Sequence, residues 1–232
     1  MGVTSMINLQ NGKYKSNLFP FEFFDNNAEW EAYAKEFPDV VATAVEDIES
    51  RFKGNATEVF AKGVEYIPRS LIGRKYQYWM AHRLIGLMNV ENKGIVLDYG
   101  CGAGNMGMIF AHAGFTADFA EVEGVTTDFL KWRIKKHFLQ SRVFTHKDDL
   151  GENKYDLVCM QNVLEHLDEP LEVMQKITRA IKSGGYLLLT CYTTGKGLDV
   201  VTIDVLAKVI MPYLLDHYYD LIETDNMLYQ KK

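Results

Sequence analysis

The sequence predicts an α/β protein: a doubly wound parallel β-sheet with helices on both faces, preceded by a helical N-terminal segment. After residue 94, short apolar segments alternate with segments of helical periodicity, the pattern of a parallel sheet covered on both faces. Before residue 92 the periodicity is helical, and the change falls at a helix-stop signal, Asn92-Lys93-Gly94. We therefore expect an N-terminal unit of residues 1–92 and a core of residues 93–232.

The composition is that of a globular protein and argues against several functional classes. Hydrophobic residues make up 47% of the 232 residues and charged residues 24%, which suffices for a buried core. A net charge of −6 argues against general electrostatic binding to nucleic acid or to an anionic membrane. The most apolar late stretch, residues 205–215, is too short to span a bilayer. Three cysteines cannot form a disulfide framework, so we expect a cytoplasmic protein.

The N-terminal unit begins with an aromatic segment and continues as helices. The aromatic segment, residues 18–24 (LFPFEFF), is expected to pack against the body; the alternatives are a substrate-pocket wall or a homodimer contact. Potential N-caps at 25–27 predict a helix to about Glu36, and Pro38 separates it from a helix over 39–52. Pro68 begins the longest helix, which runs to about Asn89.

Charged residues cluster along the chain, and solvated helix faces are the expected explanation. Residues 22–49 carry nine acidic residues and one lysine, whereas residues 51–83 carry seven basic residues and two acidic ones. The alternatives are that the acidic helix face docks on the basic one, or that the basic residues form the rim of a site for an anionic substrate. A second basic cluster, on the helix after the second strand, is also expected to be solvated; it comprises Lys131, Arg133, Lys135 and Lys136.

Seven strands and four helices are expected in the core. The strands are predicted at 95–98, 117–121, 142–145, 155–160, 185–192, 218–223 and 226–230, and the helices at 105–113, 126–139, 170–181 and 200–215. The last two strands are too close in sequence for a helical crossover, so they must pair antiparallel.

A glycine-rich loop follows the first predicted strand. Gly100, Gly102 and Gly104 lie between this strand and the next helix, where glycine allows positive φ and close approach of a ligand. The overlapping run 102–107 also fits G-x-G-x-x-G, the pattern of nicotinamide dinucleotide binding. Asp98 would face a pyrophosphate unfavourably, and Glu121 follows Gly107 by 14 positions where that pattern expects about 20.

Three motifs in order carry a resemblance to a known family. Residues 98–104 (DYGCGAG) resemble motif I of the class I S-adenosylmethionine-dependent methyltransferases, and Glu121 stands where that family keeps its ribose-binding acid. Residues 155–167 (YDLVCMQNVLEHL) and 183–189 (SGGYLLL) resemble its fourth- and fifth-strand motifs. The nearest look-alikes are small-molecule O-methyltransferases such as those of ubiquinone biosynthesis. The resemblance covers residues 93–232 and implies a Rossmann-like seven-stranded sheet with an antiparallel last strand.

The resemblance implies a set of contacts to S-adenosylmethionine. The glycine loop would lie against the methionine and ribose portions, and Asp98 would orient the loop and the cofactor's amino group or cap loop amides. Glu121 would bind both ribose hydroxyls, with Glu123 as a reserve candidate. Asp148 or Asp149 would hold the adenine amino group, and Met160 and Gln161 would line the sulfonium end.

Glu165 and His166 are the candidate catalytic pair. His166 could accept a proton from a hydroxyl or amine as the methyl group moves, with the neighbouring carboxylate raising its basicity. The alternative is that the pair caps a helix and packs. Some ubiquinone-type relatives have Glu where this chain has Asn162. The loss of that carboxylate argues against a metal-assisted mechanism, so no metal is expected. The three cysteines are expected to be small buried hydrophobes, although they end strands that this topology makes neighbours.

The segment 1–92 is expected to be a helical cap that closes the substrate side. Five aromatic or basic residues just before the core are candidates for substrate binding, with core packing as the alternative for each: Tyr66, Arg69, Tyr76, Tyr78 and Trp79. The expected reaction is in-line methyl transfer to an oxygen or nitrogen of a small molecule. The alternatives are non-methyl chemistry on the same fold, such as cyclisation or elimination, a non-catalytic partner protein, and a nicotinamide oxidoreductase.

Overall fold

The structure is a computed structural model, and it describes residues 28–39, 75–87, 93–191, 201–223 and 228–232. The aromatic segment 18–24, the candidates Tyr66 and Arg69, and all but the first residue of the helix predicted over 39–52 lie outside the described residues. The division of the chain at residues 92 and 93 stays a prediction.

The described chain follows the predicted alternation of strands and helices. In chain order the elements are α1 (Ala28–Glu36), α2 (Lys75–Leu87), β1 (Ile95–Tyr99), α3 (Asn105–His112), β2 (Thr116–Glu121), α4 (Val125–Lys136), β3 (Val143–Thr145), β4 (Tyr155–Gln161), a 3₁₀ turn (Leu164–His166), α5 (Pro170–Ala180), β5 (Ile181–Thr190), α6 (Ile203–Val205), a π-helical segment (Leu206–Ile210), α7 (Met211–His217), β6 (Tyr219–Glu223) and β7 (Leu228–Lys231). The largest difference is β5, which begins at Ile181 because this residue already pairs with Tyr155.

The seven strands form one sheet in the order β3-β2-β1-β4-β5-β7-β6. The first five strands in this order are parallel, and β7 is antiparallel to both β5 and β6. This confirms the predicted doubly wound, Rossmann-like fold with an antiparallel last strand. The carboxyl ends of β1, β2 and β4 therefore meet at one edge of the sheet.

Two apolar cores cover the two faces of the sheet. Val96 belongs to one core and the next residue, Leu97, to the other, because successive side chains of a strand point to opposite faces. Helices α2, α3 and α4 cover the first face, with Met80 of α2 fully buried in that core. Helices α5 and α7 cover the second face. Helix α2 thus packs on the sheet itself and forms part of its core.

Helix α1 packs against α4 beside the glycine loop. Tyr33 of α1 is 3% exposed and joins Phe129 of α4 and Ala103 of the loop in a third, smaller cluster. The prediction of a solvated basic face on α4 is confirmed for Lys131, which is exposed, as are Lys135 and Lys136. It is wrong for Arg133, which is 0% exposed, because it follows Phe129 by one helical turn and faces α1.

None of the helices among the described residues combines the length and apolar composition needed to cross a membrane.

Candidate functional site

A cavity lies at the carboxyl edge of the sheet and encloses about 800 Å³, solvent at its mouth included. The ends of β1 and β2 and the residues that directly follow β3 and β4 form part of its wall, at the edge where open α/β sheets bind ligands. The lining residues that carry the argument below are Tyr99, Gly100, Glu121, His146, Asn162 and His166.

The glycine loop turns sharply between β1 and α3. Gly100, Gly102 and Gly104 all have positive φ, at 65°, 54° and 78°. A Cβ on Gly100 would lie 2.2 Å from a methyl carbon of Val163, so a side chain does not fit there. The amide of Gly100 donates to the carbonyl of Ala120 in β2 over 2.8 Å, which fixes the loop against the next strand. The sequence therefore needs glycine for both backbone conformation and close packing.

Glu121 ends β2 and lines the cavity. Its Oε2 accepts a hydrogen bond from the Gly102 amide at 2.6 Å, and its Oε1 accepts one from the Val122 amide at 2.8 Å. Burial raises the pKa of Glu121, although the two amide hydrogen bonds act in the opposite direction. Each carboxylate oxygen has a second lone pair, so the group can accept two more hydrogen bonds. Such an acceptor pair suits the two hydroxyls of a ribose, which makes the site fit for a nucleoside cofactor.

Asp98 lies beneath the loop rather than in the cavity wall. Its side chain is buried, and Oδ2 accepts a hydrogen bond from the Gly107 amide in the first turn of α3 at 2.8 Å. This contact supports the loop-capping alternative, since a carboxylate at a helix N-terminus satisfies amides that have no partner within the helix. A contact between Asp98 and the cofactor's amino group stays a prediction.

Met160 and Gln161 end β4, but the structure places neither in the cavity wall. Met160 is fully buried in the core on the α5 face. The side-chain Oε1 of Gln161 accepts a hydrogen bond from Nε2 of Gln77 at 3.0 Å, which joins β4 to α2. Their predicted contacts to the sulfonium end remain untested.

The residue that lines the cavity after β3 is His146, whereas Asp148 does not line it. Asp148 Oδ2 accepts a hydrogen bond from the Thr145 amide at 2.6 Å and closes the turn that follows β3. His146 Nδ1 is buried and has no hydrogen-bond partner among the described residues. The family resemblance predicts an acidic residue after β3, so His146 was not proposed as a cofactor contact. The sequence signal that could have identified it is its position directly after β3.

Of the two candidate catalytic residues, one lies at the cavity and the other lies in the protein interior. His166 lines the cavity, while Glu165 is 1% exposed. Asn162 has a left-handed φ of 53°, which asparagine tolerates, and this turns the chain so that Val163 and His166 reach the cavity. The carbonyl of Glu165 accepts a hydrogen bond from the Val201 amide at 3.1 Å, so this residue holds the start of the C-terminal helical region.

The substrate-side candidates are described only in part. Tyr76, Tyr78 and Trp79 lie on α2, whose Gln77 contacts the carboxyl end of β4. Helix α2 therefore reaches the edge of the sheet at which the cavity lies. Among the described residues, no cluster of three or more potential ligand side chains could hold a metal ion.

Comparisons with known proteins agree with this geometry. A family model described as "Methyltransferase domain" matches residues 73–215. A ubiquinone biosynthesis O-methyltransferase of Vibrio cholerae is 29% identical over 100 residues, covering 41% of this chain and 40% of that protein. The match thus spans about two fifths of the length of the curated relatives.

Two solved structures share the fold. An S-adenosylmethionine-dependent methyltransferase from Aquifex aeolicus superimposes with a TM-score of 0.52 at 18% identity, covering 72% of this chain and 95% of that one. The [4+2]-cyclase SpnF superimposes with a TM-score of 0.50 at 20% identity, covering 65% of this chain and 61% of that one.

The chain belongs to the methyltransferase domain family, in the class that uses S-adenosylmethionine. This membership decides between the two interpretations of the glycine loop, in favour of S-adenosylmethionine and against a nicotinamide dinucleotide.

Proposed function

We propose that this chain transfers a methyl group from S-adenosylmethionine to an oxygen or nitrogen of a small-molecule acceptor. The observation that carries the proposal is that Glu121 and His166 line one cavity at the carboxyl ends of the strands. The curated relative in ubiquinone biosynthesis, which is an O-methyltransferase by name, supports an acceptor of this class.

Glu121 and the glycine loop would hold the cofactor. The two oxygens of Glu121 are oriented by backbone amides and would accept the ribose hydroxyls, while Gly100 allows close approach of the ligand. The cofactor supplies a methyl group on a sulfonium that is already activated. The contribution of the protein is therefore alignment of the acceptor and exclusion of water.

His166 would act as the general base. A neutral imidazole can accept the proton that a hydroxyl or amine loses when it is methylated. Glu165 is the neighbouring residue, but its side chain is buried and does not reach the cavity. We therefore assign to Glu165 a role in stabilising the 3₁₀ turn that carries His166.

The N-terminal residues would form the substrate side of the site. Helix α2 supports this part of the proposal because Gln77 joins it to the end of β4, and Tyr76, Tyr78 and Trp79 lie on the same helix. Tyr66 and Arg69 remain candidates from the sequence, as does a homodimer contact through residues 18–24.

A first experiment tests cofactor and reaction separately. Calorimetry with S-adenosylhomocysteine should show binding, whereas NADH should show none. The protein is then incubated with S-adenosylmethionine and a panel of phenols, alcohols and amines, and products are identified by mass. Methyl transfer adds one CH₂ group to the acceptor, while a cyclisation of the kind that SpnF is named for leaves its mass unchanged.

The role of His166 is tested on the acceptor found in this way. The His166→Ala variant should lose about a hundredfold in kcat, because a positioned base contributes of that order. Its affinity for S-adenosylhomocysteine should stay within about twofold of the parent, since the sugar is held elsewhere. An unchanged kcat would show that His166 only lines the cavity.

A further inference from the structure

A buried ion pair joins α1 to α4 beside the glycine loop. Nε of Arg133 lies 2.7 Å from Oε2 of Glu29, with the arginine side chain 0% and the glutamate side chain 9% exposed. The other carboxylate oxygen of Glu29 contacts His137 at 2.5 Å and Lys136 at 3.4 Å. Burial acts to raise the pKa of Glu29, but the hydrogen bond from His137 and the charge of Arg133 outweigh it and lower that pKa to about 2.

The same guanidinium also holds the glycine loop. Nη1 of Arg133 donates to the carbonyl of Ala103 and to Oδ1 of Asn105, the latter over 2.8 Å. Ala103 stands between Gly102 and Gly104, and the amide of Gly102 donates to Glu121. A continuous series of polar contacts therefore runs from Glu29 through Arg133 and the loop to the carboxylate assigned to the ribose.

The planar shape of the guanidinium couples the two ends of this series. Its nitrogens have a fixed relative geometry, so the contact with Glu29 orients the nitrogen that faces Ala103. Without Glu29 the guanidinium would be a buried charge with no compensating carboxylate, which favours a turn of the side chain toward water. The aromatic contacts of Tyr33 with Phe129 and Trp132 keep α1 in the register at which Glu29 meets Arg133.

We propose that Glu29 and Arg133 are a positioning pair, through which docking of α1 sets the conformation of the glycine loop and its affinity for S-adenosylmethionine. Neither residue lines the cavity, so neither is a catalytic residue. This inference rests on the proposed function, since it assumes that the loop binds the cofactor. It assigns to the N-terminal region a role in cofactor binding that is distinct from the substrate side.

The decisive variant removes the coupling while keeping the interface packed. In Glu29→Leu combined with Arg133→Met both charges are replaced by apolar groups, a change that is often neutral or stabilising for a buried ion pair. The double variant should keep its melting temperature but bind S-adenosylhomocysteine about tenfold more weakly by calorimetry, a typical size for coupling between two sites. Hydrogen exchange of a peptide covering residues 100–106 should be faster than in the parent.

A matched control lies in the same interface. Glu36 accepts a hydrogen bond from Nε1 of Trp132 at 3.0 Å, so it also joins α1 to α4, but it has no contact with the glycine loop. The Glu36→Leu variant should leave the affinity for S-adenosylhomocysteine within about twofold of the parent. An equal loss of affinity in this control would overturn the proposal, because any weakening of the α1 contact would then suffice.

If the pair couples α1 to the cofactor site, ligand binding should in turn change the hydrogen exchange of α1, which a pair that only stabilises the fold would not do. Addition of S-adenosylhomocysteine should slow hydrogen exchange of residues 28–36 in the parent and not in the double variant, because coupling between two sites acts in both directions. Equal affinity of parent and double variant overturns this inference alone. A parent that does not bind S-adenosylhomocysteine at all overturns the proposed function, and the inference with it.

If the double variant loses stability as well as affinity, the Arg133→Lys variant tests whether Arg133 positions the glycine loop or only stabilises the fold. A lysine keeps a positive charge opposite Glu29 but has no fork with which to reach Ala103 and Asn105 as well. A stable Arg133→Lys protein with weakened binding supports the proposal, and one with parental affinity overturns it.

Discussion

Two carboxylates on neighbouring parts of the molecule, the half-buried Glu121 and the buried Glu29, are held in different ways. Glu121, at the sheet edge, is held by two backbone amides, and burial raises its pKa. Glu29, in the α1–α4 interface, faces Arg133, His137 and Lys136, and its pKa is lowered to about 2. A charge held at a free-energy cost beside a cavity indicates a site that contacts the ligand directly, whereas a charge compensated by cations indicates a contact that stabilises the fold.

The two environments give the two carboxylates opposite effects on the stability of the ligand-free protein. Side-chain cations around Glu29 favour its charged form, so this carboxylate stabilises the folded state at neutral pH. No cation of the described part of the chain forms an ion pair with Glu121, and its ionised form costs stability until a ligand donates hydrogen bonds to it. Loss of Glu121 should therefore act mainly on cofactor affinity, whereas loss of Glu29 should lower the stability of the fold in addition to the smaller affinity change proposed above.

The largest effect is expected for Glu121→Ala. Loss of two hydrogen bonds to a charged acceptor should cost about 4 kcal/mol, or roughly a thousandfold in the affinity for S-adenosylhomocysteine measured by calorimetry. The free energy of unfolding of the ligand-free protein should stay within about 1 kcal/mol of the parent, since a carboxyl whose pKa is raised on folding costs stability above its unfolded pKa.

Glu123 supplies the control for Glu121. It lies two residues further on, is exposed, and was the reserve candidate for the ribose. The Glu123→Ala variant should bind like the parent. A large loss of affinity in Glu123→Ala, with little change in Glu121→Ala, would transfer the ribose contact to Glu123.

The next effect is on stability and comes from Glu29→Ala. Removal of one partner of a buried ion pair should lower the free energy of unfolding at pH 7 by about 3 kcal/mol, measured by urea denaturation. Because the pKa of Glu29 is lowered from 4.5 to about 2, its contribution is fully present above pH 4.5 and is lost as the pH falls toward 2. The difference between parent and variant should therefore shrink across that range.

Glu31 is the matched control for this prediction, because it lies on the same helix and is exposed. Glu31→Ala should change the free energy of unfolding by less than about 0.5 kcal/mol at any of these pH values. A parent–variant difference for Glu29→Ala that does not depend on pH would show that packing, not charge, accounts for its effect.

The sheet edge was predictable from the sequence because its signals are local. A buried strand, a glycine loop and a helix follow one another over residues 95–112, and the acid that ends the next strand falls beside the loop by topology alone. The close pairing of the last two strands was likewise set by their short connection. These features need no knowledge of contacts between distant residues.

The α1–α4 interface was not predictable because its partners are far apart in sequence. Glu29 and Arg133 are 104 positions apart, and a charge pattern alone does not distinguish a solvated basic helix from one that buries a single arginine. The one local signal was the spacing of Phe129, Arg133 and His137 at steps of four, which places the first two on one face of α4 and the third at its C-terminal cap on the same side.

The smallest effect is expected for His146, which lines the same cavity as Glu121. His146 lines the cavity with a buried Nδ1 that has no partner in the described part of the chain, whereas Asp148 already closes a turn. Burial and the neighbouring Lys147 and Lys176 lower the pKa of His146, so its imidazole is neutral at pH 7 and can hydrogen-bond an uncharged ring such as adenine. His146→Ala should therefore weaken binding of S-adenosylhomocysteine by about 1 kcal/mol, or roughly fivefold.

The contrast with Asp148→Asn decides which residue recognises the base. Asparagine keeps an oxygen that can accept the hydrogen bond from the Thr145 amide, so the turn should persist and the affinity for S-adenosylhomocysteine should change by less than about twofold. If Asp148→Asn weakens binding more than His146→Ala does, the assignment from the sequence is correct and the turn must open when ligand binds. If His146→Ala weakens binding more than Asp148→Asn does, the neutral imidazole of His146 binds the base where the sequence suggested the carboxylate of Asp148. The affinity for S-adenosylhomocysteine should then not change between pH 7 and pH 8, because the pKa of His146 is lowered and its imidazole stays uncharged in that range.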